Sequence, residues 1–143
     1  MPHLRVLVVD DEPDFQVTYV RLLGRQGLRA ITTGSRHEGL ALIEREALVL
    51  VISDLRLPDG DGLDVVRAAR RAPTPVPTIV ITGLGSEASR LAALSAGASA
   101  YLAKPFSAAA FTSLVAQTLA SPGAGGWPPL GPGVGNGPRR PAV

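Results

Sequence analysis

Short apolar runs alternate five times along this chain with longer stretches whose apolar positions recur every three to four residues. The runs predict strands near 4–10, 28–33, 48–54, 77–82 and 99–103. The first and third are continuously apolar, as for central strands covered on both faces. The second, Leu28-Arg29-Ala30-Ile31-Thr32-Thr33, alternates and carries a charge, which predicts an edge strand. Four runs end on a polar residue: Leu4–Val9 at Asp10-Asp11, Leu48–Ser53 at Asp54, Val76–Ile81 at Thr82, and Ala98–Ala103 at Lys104. Strand–helix alternation of this kind predicts an α/β fold, a doubly wound five-stranded parallel sheet with five flanking helices. In such a sheet the four polar ends gather at one edge, where open α/β sheets bind ligands.

Start and stop signals delimit the helices. Pro13 suits a first helical turn, and Phe15, Tyr19, Leu22 and Leu23 then share one face. Ser35 with Glu38 forms a capping-box pattern for the second helix. Asp61 is the expected cap of the third, which turns Leu63 and Val66 inward. Ser86 opens an Ala-rich fourth helix that Gly97 stops. Ser107 opens the fifth, with a packing stripe of Phe111, Leu114, Val115, Thr118 and Leu119. Of the 23 residues from Ser121 onward, thirteen are Gly or Pro, and no periodic face remains. The chain therefore divides into a folded domain, 1–120, and a Gly/Pro-rich tail or linker, 121–143, which holds Trp127, the only tryptophan.

Composition changes this picture little. The net charge of +2 and pI near 9.7 suggest a nucleic-acid partner, but the twelve basic and twelve acidic residues of 1–120 balance. The excess is Arg139 and Arg140, so direct nucleic-acid binding is not expected of this segment. Without cysteine there is no disulfide framework or thiolate zinc site. No apolar stretch approaches the ~20 residues of a membrane helix. No membrane association is expected, and the cytoplasm is the expected location. One count stands out: Lys104 is the only lysine, against thirteen arginines, which singles out a compact, flexible ammonium.

Asp10, Asp11 and Asp54 put three carboxylates at the ends of two adjacent strands, where they repel unless a cation joins them. Oxygen-only donors suit Mg2+, with Mn2+ as a substitute. A hard divalent ion beside an aspartate is a setting in which a carboxylate attacks phosphorus, with Lys and Thr donors holding the other oxygens.

These motifs, in this order, resemble the receiver domains of bacterial two-component response regulators over residues 3–120. Val8-Val9-Asp10-Asp11-Glu12 is similar to the family's acidic pocket motif, and Ser53-Asp54-Leu55-Arg56-Leu57-Pro58-Asp59-Gly60-Asp61-Gly62 to the segment around its phosphoacceptor. Ile81-Thr82-Gly83 is similar to its Thr/Ser switch, and Lys104-Pro105-Phe106 to its Lys-Pro motif. The resemblance implies a flavodoxin-like strand order 2-1-3-4-5, for which a member of this family is itself a standard example. It implies Asp54 as the phosphorylated residue. Asp11 is then a direct Mg2+ ligand, Asp10 acts through a metal-bound water, and the backbone carbonyl of Arg56 adds a ligand. Thr82, Gly83 and Lys104 would contact phosphoryl oxygens, with a cis bond before Pro105. Tyr101 would rotate inward as Thr82 moves. The phosphoryl donor would be a histidine kinase or histidine phosphotransfer protein. The domain is not expected to be an enzyme beyond its own phosphorylation and dephosphorylation.

Some residues depart from the common pattern. Arg56 can shield the phosphoryl group, pair with a partner's acid or be a solvated surface arginine, and the apolar Leu84 can limit water access; shielding predicts slow self-dephosphorylation. Between Leu91 and Pro138 the one charged residue is Lys104, so the fourth helix, fifth strand and fifth helix present an uncharged face, which either a homodimer or output partner or an Ala- and Arg-rich compositional bias explains. Two other functions stay open at this point: an aspartate-dependent phosphohydrolase of the haloacid dehalogenase type, and a docking module of this fold that is not phosphorylated.

Overall fold

The computed structural model describes residues 4–83 and 85–120. Leu84 and the expected tail with Trp127 lie outside the described residues. The elements run β1 (Leu4–Val9), α1 (Pro13–Arg25), β2 (Leu28–Thr33), α2 (Arg36–Arg45), β3 (Leu50–Ser53), β4 (Arg56–Leu57), β5 (Gly60–Asp61), α3 (Leu63–Arg71), β6 (Thr78–Thr82), α4 (Glu87–Ala96), β7 (Ala100–Ala103) and α5 (Ala108–Ala120). The main sheet is parallel with order β2-β1-β3-β6-β7. Setting aside β4 and β5, a two-residue antiparallel hairpin, this is the expected 2-1-3-4-5 arrangement. The charged, alternating β2 is indeed an edge, and β1 and β3, apolar over residues 6–9 and 50–52, are central.

Side chains alternate between two cores because successive residues of a strand face opposite ways. Val6 and Val8 pack with Tyr19, Leu22 and Leu23 of α1 and with Phe111 and Val115 of α5. Leu7 and Val9 face the other way, onto Leu42 and Ile43 of α2 and Val65 and Ala69 of α3. A third cluster joins Val66, Val80, Ala93 and Ala98 under α4. Each fully buried Val, Leu, Ile or Phe side chain contributes about 1.5–3 kcal/mol over leaving it exposed, so the sheet ends sit on a rigid base.

The helix starts largely follow their sequence signals. Ser35 Oγ accepts from Glu38 N, as expected of an N-cap. The reciprocal half of that box is absent: Glu38 takes the Thr33 hydroxyl instead. Ser86 and Ser89 cap α4 reciprocally, and Gly97, at φ 114°, ends it. Ser107 Oγ accepts from Ala110 N at 3.0 Å. The third helix corrects its prediction. Asp61 pairs with Arg56 across the hairpin, so Gly62 becomes the N-cap residue, while Asp61 Oδ1 still accepts from Leu63 N. Gly62 is also pressed against the backbone of Asp54: a Cβ there would lie 1.9 Å from the Asp54 carbonyl oxygen.

Candidate functional site

The strand ladder carries the polar ends to one edge. Beyond the strands, Asp10 N donates to Thr33 O, Asp54 N to Val9 O, and Lys104 N to Thr82 O. Parallel pairing therefore continues through the residues that begin the loops, and Asp10, Asp54, Thr82 and Lys104 assemble there. The Lys104–Pro105 bond is cis, as expected from the motif.

Lys104 organises the centre. Its ammonium lies 2.8 Å from Asp10 Oδ2, 2.8 Å from Asp54 Oδ2 and 2.5 Å from Glu12 Oε1. It also sits 4.3 Å from the centroid of the Phe15 ring, a cation–π distance. Its side chain is only 5% exposed. Burial works against the charge, but the hydrogen bonds to Asp10, Asp54 and Glu12 outweigh it and hold the pKa above the ordinary lysine value. Asp10 is buried as well, and burial raises its pKa, opposed by hydrogen bonds from Lys104 and the Glu12 N–H.

The two aspartates are held differently. Asp54 Oδ1 accepts from Leu55 N at 2.6 Å and, at 3.4 Å, from Arg56 N, whereas Oδ2 faces Lys104. Asp10 Oδ1 accepts from Glu12 N, and Oδ2 receives both Lys104 and the Tyr19 hydroxyl, the latter at 3.3 Å. Burial, and then the negative charge of Asp10, push the Tyr19 pKa far above the tyrosine norm, so the hydroxyl keeps its proton.

Among the described residues, oxygens of Asp10, Glu12 and Asp54 converge within 4.8 Å of one another. Asp11 is exposed and outside that group, its backbone lying against Gly34. An all-oxygen donor set of this kind fits a hard divalent cation, and Lys104 supplies the positive charge in the present arrangement.

The remaining expected residues are placed as follows. Thr82 is fully buried at the end of β6, in register with Ala103. Among the described residues other than its chain neighbours, the nearest heavy atom to a Cβ on Gly83 would be Lys104 Cβ, at 3.9 Å. Arg56 is exposed at the start of the hairpin. Tyr101 is half-buried on β7, with its hydroxyl 3.1 Å from Ser89 Oγ in the first turn of α4.

Three participants escaped the sequence reading. Glu12 stands in the sequence as part of the acidic motif, with no local sign that it partners Lys104. Tyr19 was read as packing, although a hydroxyl in an otherwise apolar stripe was the available signal. Asp59 stands in the sequence only as part of the Asp54 segment, and no local pattern reveals that its carboxylate accepts from Arg36 N at 2.7 Å, His37 N at 2.8 Å and Ser35 Oγ at 3.2 Å. Those bonds lower its pKa, the His37 and Arg36 N–H groups most of all, and they pin the hairpin after Asp54 to the start of α2.

The chain is similar to known proteins over most of its length. A family model described as the response regulator receiver domain matches residues 6–116. The response regulator protein PilR of Pseudomonas aeruginosa is 37% identical over 119 residues, covering 83% of this chain and 27% of PilR. The chain thus spans about a quarter of that relative's length. A CheY-like receiver domain protein from Methanospirillum hungatei JF-1 superposes with a TM-score of 0.79 at 28% identity, covering 84% of this chain and 96% of the other. A response regulator from Burkholderia pseudomallei, solved with a phosphorylated aspartic acid, calcium ion and citrate, gives 0.72 at 28% identity over 85% and 71%. With its five-stranded flavodoxin-like sheet and this match over most of its length, the chain belongs to the receiver-domain family of two-component response regulators.

Proposed function

We propose that this receiver is a phosphorylation-dependent switch whose phosphoacceptor is Asp54. The observation that carries the reading is the asymmetry of that carboxylate. Backbone N–H groups hold Oδ1, while Oδ2 faces the one lysine at the edge of the sheet. Oδ2 attacks the phosphorus of a phosphohistidine on a histidine kinase or phosphotransfer protein. The P–N bond breaks, and the imidazole leaves with its electron pair and takes up a proton. Lys104 turns from the carboxylates toward the phosphoryl oxygens, where the Thr82 hydroxyl and Gly83 N–H also donate.

Asp10, Asp11, Asp54 and the Arg56 carbonyl are the proposed holders of Mg2+ or Mn2+, with Glu12 added by its position beside Lys104. When bound, a divalent ion offsets phosphoryl charge and fixes its orientation. The phosphorylated aspartic acid and calcium of the Burkholderia protein support this assignment.

Drawing Thr82 toward the phosphoryl group frees the space into which Tyr101 turns, and that turn breaks its bond to Ser89. The two states differ in their contacts to the phosphoryl group, so phosphorylation shifts their populations. The α4–β7–α5 face, with Leu91 half exposed and no charge between Leu91 and Ala103, is the proposed surface for a homodimer or output partner. Arg56, beside the nucleophile, is proposed to slow hydrolysis, and the setting is the cytoplasm.

Incubation with acetyl phosphate and Mg2+, followed by intact-mass measurement, tests the core of this reading. One phosphoryl mass is expected on the wild type and none on Asp54→Ala. An addition that survives Asp54→Ala overturns the assignment.

A further inference from the structure

Phe15, Tyr19, Phe106 and Phe111 pack as one cluster against the acidic pocket, with neighbouring ring centroids between 5.4 and 6.2 Å apart. Three of the four rings are phenylalanine. The fourth differs from them by a hydroxyl, and that hydroxyl is 3.3 Å from Asp10 Oδ2. Tyr19 and Asp10 are both buried, at 0% and 1% exposure. An ionised carboxylate only accepts hydrogen bonds, so the hydroxyl is the donor.

The donors around Asp10 respond differently to an incoming cation. Lys104 carries like charge and is the contact such an ion repels. Tyr19 is neutral, and ring packing on α1 and α5 holds its position. The Glu12 N–H stays on Oδ1 as part of the backbone.

We infer that Tyr19 is a positioning residue of the cation pocket, holding the Asp10 carboxylate in one orientation while Lys104 and a divalent ion exchange places. The inference rests on the cation-binding reading of the pocket given under Proposed function. Tyr19 acts through Asp10 and touches neither ion nor phosphoryl group. Outer partners of this kind typically contribute about ten- to a hundredfold in metal affinity, and a 3.3 Å bond puts Tyr19 at the lower end.

The test is Mn2+ binding to the whole chain, followed by electron paramagnetic resonance, for the wild type, Tyr19→Phe and Phe111→Leu. Tyr19→Phe should bind Mn2+ about tenfold more weakly while keeping the wild-type circular dichroism. Phe111→Leu should melt at a lower temperature yet bind Mn2+ as the wild type does, because it loosens the rings and spares the hydroxyl. Unchanged or tighter binding by Tyr19→Phe overturns the inference. Equal weakening by Phe111→Leu overturns it too, by assigning the effect to packing. A wild type that binds no Mn2+ overturns the cation-binding reading itself, and this inference with it.

Discussion

On the side of the sheet covered by α1 and α5, the core is built around Tyr19 and Phe111 and flanked by Phe15 and Phe106. On the side covered by α2 and α3, the buried cluster is entirely aliphatic. Both sides meet the acidic pocket, but through different chemistry. The ring-bearing side supplies a phenyl face to Lys104 and a hydroxyl to Asp10. The aliphatic side reaches the pocket through an external clasp, in which Asp59 grips the start of α2 and Arg36 Nε pairs with Asp64 at 2.9 Å. On the first side a ring face and a hydroxyl touch the lysine and an acid; on the second, hydrogen bonding sets the loop that follows Asp54. Damage to the two sides should therefore read out differently.

The largest expected effect is on the ring-bearing side. Phe111→Ala should lower the unfolding free energy by about 3–5 kcal/mol, measured by urea denaturation. An equal or greater loss from a Leu42→Ala change would erase that ranking of the two sides. Next comes the charge at the centre. Lys104→Met leaves Asp10 and Asp54 buried without their cation, which should cost about 3 kcal/mol in the absence of divalent ions. Asp10 has a pKa raised by burial, so in that variant it keeps its proton to higher pH in the folded state than in the unfolded chain. The variant should accordingly gain stability toward acid and lose it as pH rises through that pKa. A loss independent of pH would show that the methylene stem of Lys104 matters more than its charge.

The smallest effect belongs to the clasp. The pKa of Asp59 is lowered in the fold, so its contribution is present above the ordinary carboxylate pKa and fades as pH falls through the lowered value. Asp59→Asn should remove that acid-side fade from the melting temperature while leaving the ring cluster's near-ultraviolet signal intact. A changed ring signal would mean that the two sides are coupled through the sheet.

Much of this was legible in the chain because it is local. The runs ending at Asp10, Asp54, Thr82 and Lys104 specify strands and, through parallel pairing, a shared edge. Ser35, Ser86, Gly97 and Ser107 mark helix ends by chemistry confined to one turn. What escaped is the product of tertiary approach. Glu38 abandons the capping box because Thr33 comes within reach, and Asp61 is drawn into the hairpin by Arg56. Glu12 joins Asp10 and Asp54 around Lys104 across 92 residues of sequence, a distance no periodicity spans. Tyr19 has the spacing of a core residue and is one. Its second role appears only when the hydroxyl is seen beside a carboxylate.

Gly62 carries a consequence for genetics. A methyl group at that position would meet the carbonyl of Asp54 at 1.9 Å, the adjoining carbonyl carbon at 2.9 Å and the Leu55 Cα at 3.0 Å. The obstacle is backbone, so no rotamer can relieve it, and the strain would pass directly into the residue proposed to accept the phosphoryl group. Gly62→Ala adds no charge and removes no polar group, yet in a screen for lost signalling it should score with Asp54→Ala, a lesion at Asp54 written eight residues away as a single carbon.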